Sequence, residues 1–279
     1  MYKYSSLNNS PEEIKTESNL LQLVFANKKF STEYLNWQYN ENPDGKAVGF
    51  NAYSENGELA AHYVTQPMNA ILFGKSAKGL LSLNTATHPN HQGKGLFTEL
   101  AKKTYKLARE LGYEFVIGVA NQNSTHGFIN KLGFQLVGQL KALVSFGSVC
   151  RFYPNENDFS KFDFFRKWNK NSLAWRISNP ENNYFVNHSK IICDSGKPMI
   201  KAVIGCFEKS LLPQDTQNNI RKPLSLAIGT DSAVKSSLLN IPNFLRPSPL
   251  NLIFKDLTGK NKNISFDKTF FSAIDFDAY

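Results

Sequence analysis

The stretch THPNHQGKGLF, residues 87–97, is the part of this 279-residue chain whose pattern points most clearly to a chemical role. Two glycines flank Lys94, and an amphipathic segment follows at once. Glycine lets the backbone approach an anion without interference from a Cβ atom. The first N–H groups of a helix have no partner within the helix, and they carry partial positive charge. A glycine loop that opens a helix is therefore predicted to bind a phosphate group.

The segments around this loop have the patterns of alternating strands and helices. Leu80–Thr87 has a strand pattern, and Phe97–Leu111 places apolar residues at the spacing of an amphipathic helix. Glu114–Ala120 is nearly continuously apolar, as in a strand buried on both faces. A short helix over Ser124–Leu132 and a strand over Phe134–Val144 follow. The order predicts an α/β unit in which the helix returns the chain to a neighbouring parallel strand.

Composition and charge limit the class of ligand. The formal net charge of +9 favours an anionic partner. Because Lys and Arg are scattered, we expect a small anionic ligand and no nucleic acid. No stretch reaches the ~20 apolar residues of a membrane span, and the N-terminus lacks the apolar core of a signal peptide. These features predict a cytoplasmic protein without a membrane span.

The cysteines predict neither a disulfide framework nor a metal site. Cys150, Cys193 and Cys206 are odd in number and show no CxxC spacing. Buried free thiols in a reducing compartment are the expected state, and no metal is expected.

Three types of phosphate loop compete for residues 87–97. A nucleotide-binding P-loop requires GxxxxGK[ST], which is absent here. The dinucleotide fingerprint requires GxGxxG after a first strand, but GKGLFT lacks the third glycine and lies deep in the chain. The third type matches: Gln92-Gly93-Lys94-Gly95-Leu96 resembles the (R/Q)xxGx(G/A) pyrophosphate loop of the GNAT superfamily of acyl-CoA N-acyltransferases.

The resemblance extends over roughly residues 34–146. In that superfamily a strand ends at a proline shortly before the loop, as Leu80–Thr87 ends before His88-Pro89 here. The segment from Asn121-Gln122-Asn123-Ser124 to Asn130-Lys131-Leu132-Gly133-Phe134 is similar to the family's closing segment. The resemblance implies an α/β (α+β) fold, with a mixed twisted sheet of the GNAT type.

The resemblance also implies acetyl-CoA as co-substrate and a set of residues that hold it. The backbone N–H near Thr87 would hold the thioester carbonyl. Asn121, Asn123 and Ser124 would contact the pantetheine or adenine end, unless Asn123-Ser124 is only a helix cap. The pyrophosphate would lie on Gln92, Gly93, Lys94, Gly95, Leu96 and Phe97. A simple surface turn is the alternative for the two glycines.

Three departures from the family pattern leave the catalytic groups open. Phe97 stands where the loop has glycine or alanine, and Ile129 stands where many members carry the tyrosine that protonates the departing thiolate. The strand Leu80–Thr87 has no glutamate to serve as a base. The candidate catalytic residues are His88, His126, Asp275 and Asp277, for which structural histidines and a frayed acidic tail are the alternatives.

A short repeat predicts two halves. Leu173–Pro180 (LAWRISNP) resembles Leu35–Pro43 (LNWQYNENP), and strand patterns follow each copy. Leu224–Gly229, a helix from about Asp231 to Leu239 and a strand over Leu250–Phe254 complete the second copy. We expect two GNAT-like halves side by side, residues 1–147 binding acetyl-CoA and 148–279 a degenerate copy without the loop. Coincidence is the alternative.

The expected activity is N-acetyl transfer from acetyl-CoA to a primary amine of a small molecule. An amino sugar or a nucleotide-linked amino sugar is the first candidate, and an aminoglycoside-like or amino-acid acceptor is the second. Two other classes stay open. One is a non-catalytic acyl-CoA-binding or regulatory module, and the other is a peptidoglycan-type aminoacyl transferase that uses aminoacyl-tRNA.

Overall fold

A computed structural model describes residues 1–146, 150–216, 220–234, 239–242, 246 and 248–278. The described helices are α1 (Pro11–Phe25), α2 (Thr32–Asn40), α3 (Leu96–Glu110), α4 (Gln122–His126) and α5 (Lys170–Ile177). The described strands are β1 (Lys3–Ser6), β2 (Val48–Tyr53), β3 (Leu59–Leu72), β4 (Lys75–Thr87), β5 (Phe115–Ala120), β6 (Gln135–Gln139), β7 (Lys141–Phe146), β8 (Phe164–Arg166), β9 (Phe185–Asn187), β10 (Lys190–Lys197), β11 (Ile200–Cys206), β12 (Leu224–Gly229), β13 (Leu239–Asn240), β14 (Asn251–Asp256) and β15 (Thr269–Phe270).

The first sheet contains the predicted α/β unit. Its strand order is β1-β2-β3-β4-β5-β14-β6, with β8 paired to β3 and β15 paired to β8. Strands β4 and β5 are parallel, and α3 connects them, as the sequence predicted. Helix α3 packs its apolar stripe on the sheet, with Leu100, Ala101 and Ala108 fully buried in the cluster that contains Val116. A mixed α/β fold is therefore confirmed.

The parallel strands β4 and β5 diverge towards their carboxyl ends. Their pairing runs from Gly79 and Phe115 to Ser82 and Gly118, which is the last pair in their register. Beyond that point β4 carries a bulge, because Asn84 and Thr85 lie opposite the single residue Tyr63 of β3. A gap therefore opens in the sheet directly before residues 87–97.

The second sheet has a similar arrangement. Its order is β13-β7-β12-β11-β10-β9, and β11 and β12 are parallel, as β4 and β5 are. Each sheet contains at least one strand from the other half of the chain. β7 pairs with β12 in the second sheet, while β14 pairs with β5 in the first. The division at residues 147 and 148 stays a prediction, and each sheet contains strands from both sides of it.

This exchange corrects two strand assignments. The strand predicted over residues 134–144 is two strands, β6 and β7, which lie in different sheets. The strand predicted near residues 250–254 belongs to the first sheet, where Leu252, Ile253 and Phe254 are buried. The local pattern was right in both cases, but it contained no information on the strand partner.

The repeated tryptophan motif joins the two halves. Trp37 of α2 and Trp175 of α5 stack with ring centroids 4.8 Å apart. Trp37 Nε1 donates to the Trp175 carbonyl at 3.0 Å, and Trp175 Nε1 donates to the Trp37 carbonyl at 3.1 Å. This reciprocal contact is what two copies of one motif make around a local two-fold axis, and it supports the repeat.

Two further expectations are corrected. The helix predicted from about Asp231 to Leu239 begins as a turn at residues 231–233, while residues 235–238 lie outside the described part of the chain. Cys150 and Cys206 form a disulfide, and only Cys193 has the expected form of a buried free thiol. Among the described residues no helix is long and apolar enough to cross a membrane.

Candidate active site

The glycine loop presents bare backbone in front of α3. Gly93 and Gly95 have φ of +74° and +75°, a region that side chains with a Cβ rarely adopt, and both are exposed. Leu96, the first residue of α3, is buried and anchors the helix. In the described structure no side chain caps this end of α3. The first-turn N–H groups are therefore available to an anion.

The two histidines of this stretch, His88 and His91, connect it by hydrogen bonds and close polar contacts to Glu58 and Tyr2. His88 Nδ1 accepts from the Asn90 N–H at 3.2 Å, and its Nε2 lies 3.5 Å from the Glu58 carboxylate. His91 Nε2 lies 3.1 Å from Glu58, and its Nδ1 lies 2.8 Å from the Tyr2 hydroxyl. One donor atom of each of Glu58, His88 and His91 lies within 4.8 Å of the others. The expectation of no metal stays a prediction.

Two cavities meet at the gap between β4 and β5. The first, here called the helix-side cavity, has a volume of about 240 Å³ and is lined in part by Asn121, Ser124 and Phe128. The second, the tail-side cavity, has a volume of about 150 Å³ and is lined in part by residues 274–277 near the C-terminus. Both are lined by Ser82, Leu83, Asn84 and Val119. A group bound in one cavity therefore lies next to a group bound in the other.

Asn84 is oriented at the junction of the two cavities. It lies in the bulge of β4 with φ of +45°, a conformation that asparagine tolerates better than most residues. Its Nδ2 donates to Gln38 Oε1 at 2.5 Å and to the Tyr39 hydroxyl at 3.1 Å. Since both N–H bonds are used, its Oδ1 is the atom left to accept a hydrogen bond.

A chain of buried polar groups lies behind Asn84. The Tyr39 hydroxyl lies 3.1 Å from His62 Nε2, and His62 Nδ1 lies 2.7 Å from Asn51 Oδ1. Asn51 Nδ2 donates to Glu17 at 2.8 Å. Burial raises the pKa of Glu17 to about 8 and lowers the pKa of His62 to about 3. The chain is thus held without net charge, and His62 carries its proton on Nδ1.

The acidic tail is docked in the fold, so the alternative of a frayed tail is wrong. Asp275 is 1% exposed and accepts from the Tyr153 hydroxyl at 2.5 Å, from Trp168 Nε1 at 3.0 Å and from the Ser272 N–H at 2.8 Å. Burial raises the pKa of Asp275. These contacts fix the tail as a wall of the tail-side cavity.

Asp277 lies in the same wall and is also paired. It accepts from Arg176 Nη1 at 3.0 Å and from the Tyr34 hydroxyl, and Lys29 Nζ lies 3.7 Å away. Asn179 Nδ2 donates to it at 3.3 Å. The oxygens of Asp277 are therefore occupied by donors of the protein itself. Its role as a base stays a prediction, as does that of Asp275.

The other predicted residues are divided between the cavities and the surface. Asn121 caps α4 in a capping box with Ser124, and both residues line the helix-side cavity. Asn123 and His126 are exposed and are not among the residues that line it. Ile129 packs against the core cluster of the first sheet.

Arginines are the site residues that the sequence patterns did not indicate. Arg166 ends β8 and Arg176 lies in α5, and both line the tail-side cavity with Lys29. One clue was present in the repeat, since Arg176 follows Trp175 as Gln38 follows Trp37. Gln38 also lines this cavity.

Comparison with known proteins assigns the first half to a family. Residues 8–137 match the family model described as an acetyltransferase (GNAT) domain. No curated protein matches the chain in sequence. In fold the chain is similar to a conserved protein of unknown function from Enterococcus faecalis V583, called a probable N-acyltransferase, with a TM-score of 0.58 and 10% identity, over 92% of this chain and 73% of that one.

Two GCN5-related N-acetyltransferases are similar to the same extent. The protein from Anabaena variabilis ATCC 29413 has a TM-score of 0.55 at 11% identity, over 92% of this chain and 73% of that one. The protein from Kribbella flavida has a TM-score of 0.56 at 10% identity, over 91% and 72%. At such identities the likeness concerns the fold, and it extends over both sheets. The chain therefore carries a domain of the GNAT superfamily of acetyltransferases in residues 8–137.

Proposed function

We propose that this chain is an acetyl-CoA-dependent N-acetyltransferase that acts on a primary amine of a small molecule. The observation that carries the proposal is the meeting of two cavities at the gap between β4 and β5, beside the uncapped N-terminus of α3. Acyl transfer requires two substrates held in contact, and this arrangement provides a compartment for each.

The cofactor side of the site fits a pyrophosphate and a thioester. The N–H groups of residues 92–97 would hold the pyrophosphate, and Asn121 and Ser124 would contact the pantetheine arm. The His88 N–H donates to the Ala60 carbonyl of β3 at 2.9 Å. Because successive N–H groups of a strand alternate in direction, the Thr87 N–H faces the gap. It would stabilise the oxyanion that forms on the thioester carbonyl.

The amine side of the site would be organised by Asn84. Transfer to the neutral amine forms a C–N bond and breaks the thioester C–S bond, and the proton that the nitrogen loses goes to the departing thiolate, which leaves as free CoA thiol. Asn84 Oδ1 would accept a hydrogen bond from an N–H of the amine. This would direct the lone pair of the amine nitrogen to the carbonyl carbon of the thioester. The Ser82 hydroxyl lines both cavities and lies 3.0 Å from the Tyr63 hydroxyl. The Ser82 hydroxyl would donate a hydrogen bond to the departing sulfur. This is the role of the tyrosine that many family members carry at the position of Ile129.

The acceptor that we place first is an amino sugar or a nucleotide-linked amino sugar. The net charge of +9 favours acceptors that carry phosphate. An aminoglycoside-like or amino-acid acceptor is the second candidate. The site is proposed to exist once per chain, because the second half has no counterpart of the glycine loop.

The alternative is a non-catalytic acyl-CoA-binding module. It is favoured by the saturated contacts of Asp277 and by the absence of a glutamate from β4. An aminoacyl transferase that uses aminoacyl-tRNA would not require the glycine loop.

The test is release of free thiol from acetyl-CoA with a panel of amines, together with calorimetric titration of acetyl-CoA. We expect binding and amine-dependent thiol release. Binding without release on any amine would favour the binding module. Absence of acetyl-CoA binding would contradict the proposal and favour the aminoacyl transferase.

A further inference from the structure

The tail-side cavity is lined by two buried arginines. Arg166 is 1% exposed and Arg176 is 4% exposed, yet both line the same cavity. Guanidinium groups remain charged in proteins, so burying two of them beside one cavity is unfavourable unless anions accept their N–H bonds.

The fold provides hydrogen-bond acceptors for only some of the N–H groups of these two guanidinium groups. Arg166 Nη2 donates to Asp44 at 3.2 Å, and its guanidinium stacks on the Trp168 ring at 3.8 Å. Arg176 Nε donates to the Ile274 carbonyl at 3.1 Å, and its Nη1 donates to Asp277 at 3.0 Å. Arg166 Nε and Arg176 Nη2 are buried and have no partner among the described residues.

The neighbouring carboxylates, Asp275 and Asp277, already accept hydrogen bonds from other groups of the protein. Asp277 contacts Arg176, Lys29 and Tyr34, and Asp275 is engaged by Tyr153, Trp168 and the Ser272 N–H. Lys29, Arg166 and Arg176 face the carboxylates of Asp275 and Asp277 in the lining, and a third carboxylate, Asp44, pairs with Arg166 outside it. The charges of this cluster are therefore matched in number, and what it lacks is an acceptor for Arg166 Nε and Arg176 Nη2, which a further anionic group would provide.

We propose that the tail-side cavity seats an acidic group of the amine acceptor, a carboxylate or a phosphate, on the guanidinium groups of Arg166 and Arg176, whose Nε and Nη2 atoms respectively lack a partner. This inference rests on the proposed function, which places the acceptor amine at Asn84 in the same cavity. The acceptor is then an amine that carries an acid, such as a phosphorylated amino sugar or an amino acid. A neutral amino sugar would leave both N–H bonds unpaired.

The test compares matched acceptors that differ only in the acid. Glucosamine 6-phosphate is paired with glucosamine, and L-serine is paired with L-serinamide. We expect kcat/KM to be about 10-fold to 100-fold higher for the acidic member of one pair, the range of a hydrogen bond to a charged group. The pair that shows the preference identifies phosphate or carboxylate. Equal values in both pairs would overturn the inference and leave the acetyltransferase function intact.

A variant locates the effect on the arginines. Arg176→Lys retains a charge beside Asp277 but loses the second donor, so the preference for the acidic acceptor should fall at least about tenfold. Arg166→Lys serves the same purpose if Arg176→Lys does not fold. The matched control is Arg151→Lys, which alters an exposed arginine outside this cavity and should leave the preference unchanged. An unchanged preference in folded Arg176→Lys and Arg166→Lys would contradict the assignment.

A binding measurement separates this inference from failure of the proposed function. If no amine is acetylated, protein saturated with CoA is titrated calorimetrically with inorganic phosphate and with acetate. CoA occupies the loop, so the added anion reports on the tail-side cavity. Binding that weakens about tenfold in Arg176→Lys would support the anion seat in a non-catalytic protein. Absence of binding by both anions would overturn it.

Discussion

Phe97 occupies the loop position where glycine or alanine is the family pattern, and Gly127 explains how it fits. A Cβ built on Gly127 would lie 2.9 Å from Phe97 Cε1. The Phe97 ring also packs edge to face on Phe128, with centroids 5.2 Å apart. The large residue at the start of α3 is therefore matched by a missing side chain in the segment after α4.

Gly127→Ala tests this packing. Gly127 has helical backbone angles, so alanine alone would be tolerated or slightly stabilising. Against Phe97 we expect a loss of about 1 kcal/mol in the free energy of unfolding, from overpacking. In the Phe97→Ala background the same change should gain about 0.5 kcal/mol. Denaturant unfolding of the four proteins measures both values, and equal effects in the two backgrounds would contradict the packing.

Glu17 gives the stability a pH dependence. Its pKa is about 8 in the folded protein, above its ordinary value near 4.5, so between these values only the folded state holds the proton. The stabilisation is complete below pH 4.5 and is lost as the pH rises through 8. His62, with a depressed pKa of about 3, opposes this dependence below about pH 6.5. Stability should therefore fall between pH 6.5 and 8, by at most about 1.4 kcal/mol per unit.

Glu17→Gln removes the titrating group and keeps the side-chain shape. We expect the fall in melting temperature between pH 6.5 and 8 to disappear in this variant. Glu12, an exposed residue of the same helix, provides the control Glu12→Gln, which should keep the fall. An identical pH profile of the native protein and Glu17→Gln would show that Glu17 does not titrate in this range.

Helices α2 and α5 meet through equivalent hydrogen bonds. The Trp37 and Trp175 indoles each donate to the other residue's carbonyl. Replacing either by phenylalanine removes one buried donor and leaves one carbonyl without its partner, at a cost of about 1–3 kcal/mol. We expect Trp37→Phe and Trp175→Phe to be destabilising by similar amounts in urea unfolding. A neutral result for one of them would break the proposed equivalence of the two helices.

The elements of the first half could be predicted because their patterns are local. The periodicity of Phe97–Leu111 and the apolar run Glu114–Ala120 gave α3 and β5 within one residue at each end. The strands that pair with β7 and β14 could not be predicted. A strand pattern determines which face of the strand is buried, but it does not determine which strand lies beside it. Arg166 and Arg176 were missed for a related reason: they reach the site only through the contacts of β8 and α5.

The whole molecule is connected by exchanged strands. β14 lies between β5 and β6 of the first sheet, and β7 lies between β12 and β13 of the second. The tail-side cavity is built from both halves, since Gln38 and Asn84 face Arg176 and Asp277 across it. A complete acceptor site therefore requires both halves, although the glycine loop belongs to the first alone.

Separation of the halves tests this dependence. A fragment of residues 1–147 lacks β14, whose Leu252, Ile253 and Phe254 are at most 1% exposed in the intact chain. We expect the fragment to show no cooperative thermal unfolding. Mixing it with the fragment of residues 148–279 should restore cooperative unfolding. A cooperative transition of the first fragment alone, near the melting temperature of the full chain, would contradict the role of the exchange.

Binding of CoA by the glycine loop is tested by calorimetric titration of the full chain and of Gly95→Glu with CoA. The native chain should bind one CoA, and Gly95→Glu should bind about 100-fold more weakly, because its carboxylate would lie among the phosphates. The matched control is Gly196→Glu. Gly196 has φ of +68° and nothing within 4 Å, so this variant carries the same backbone strain away from the loop, and it should bind normally. An unchanged dissociation constant in folded Gly95→Glu would contradict the assignment of the loop.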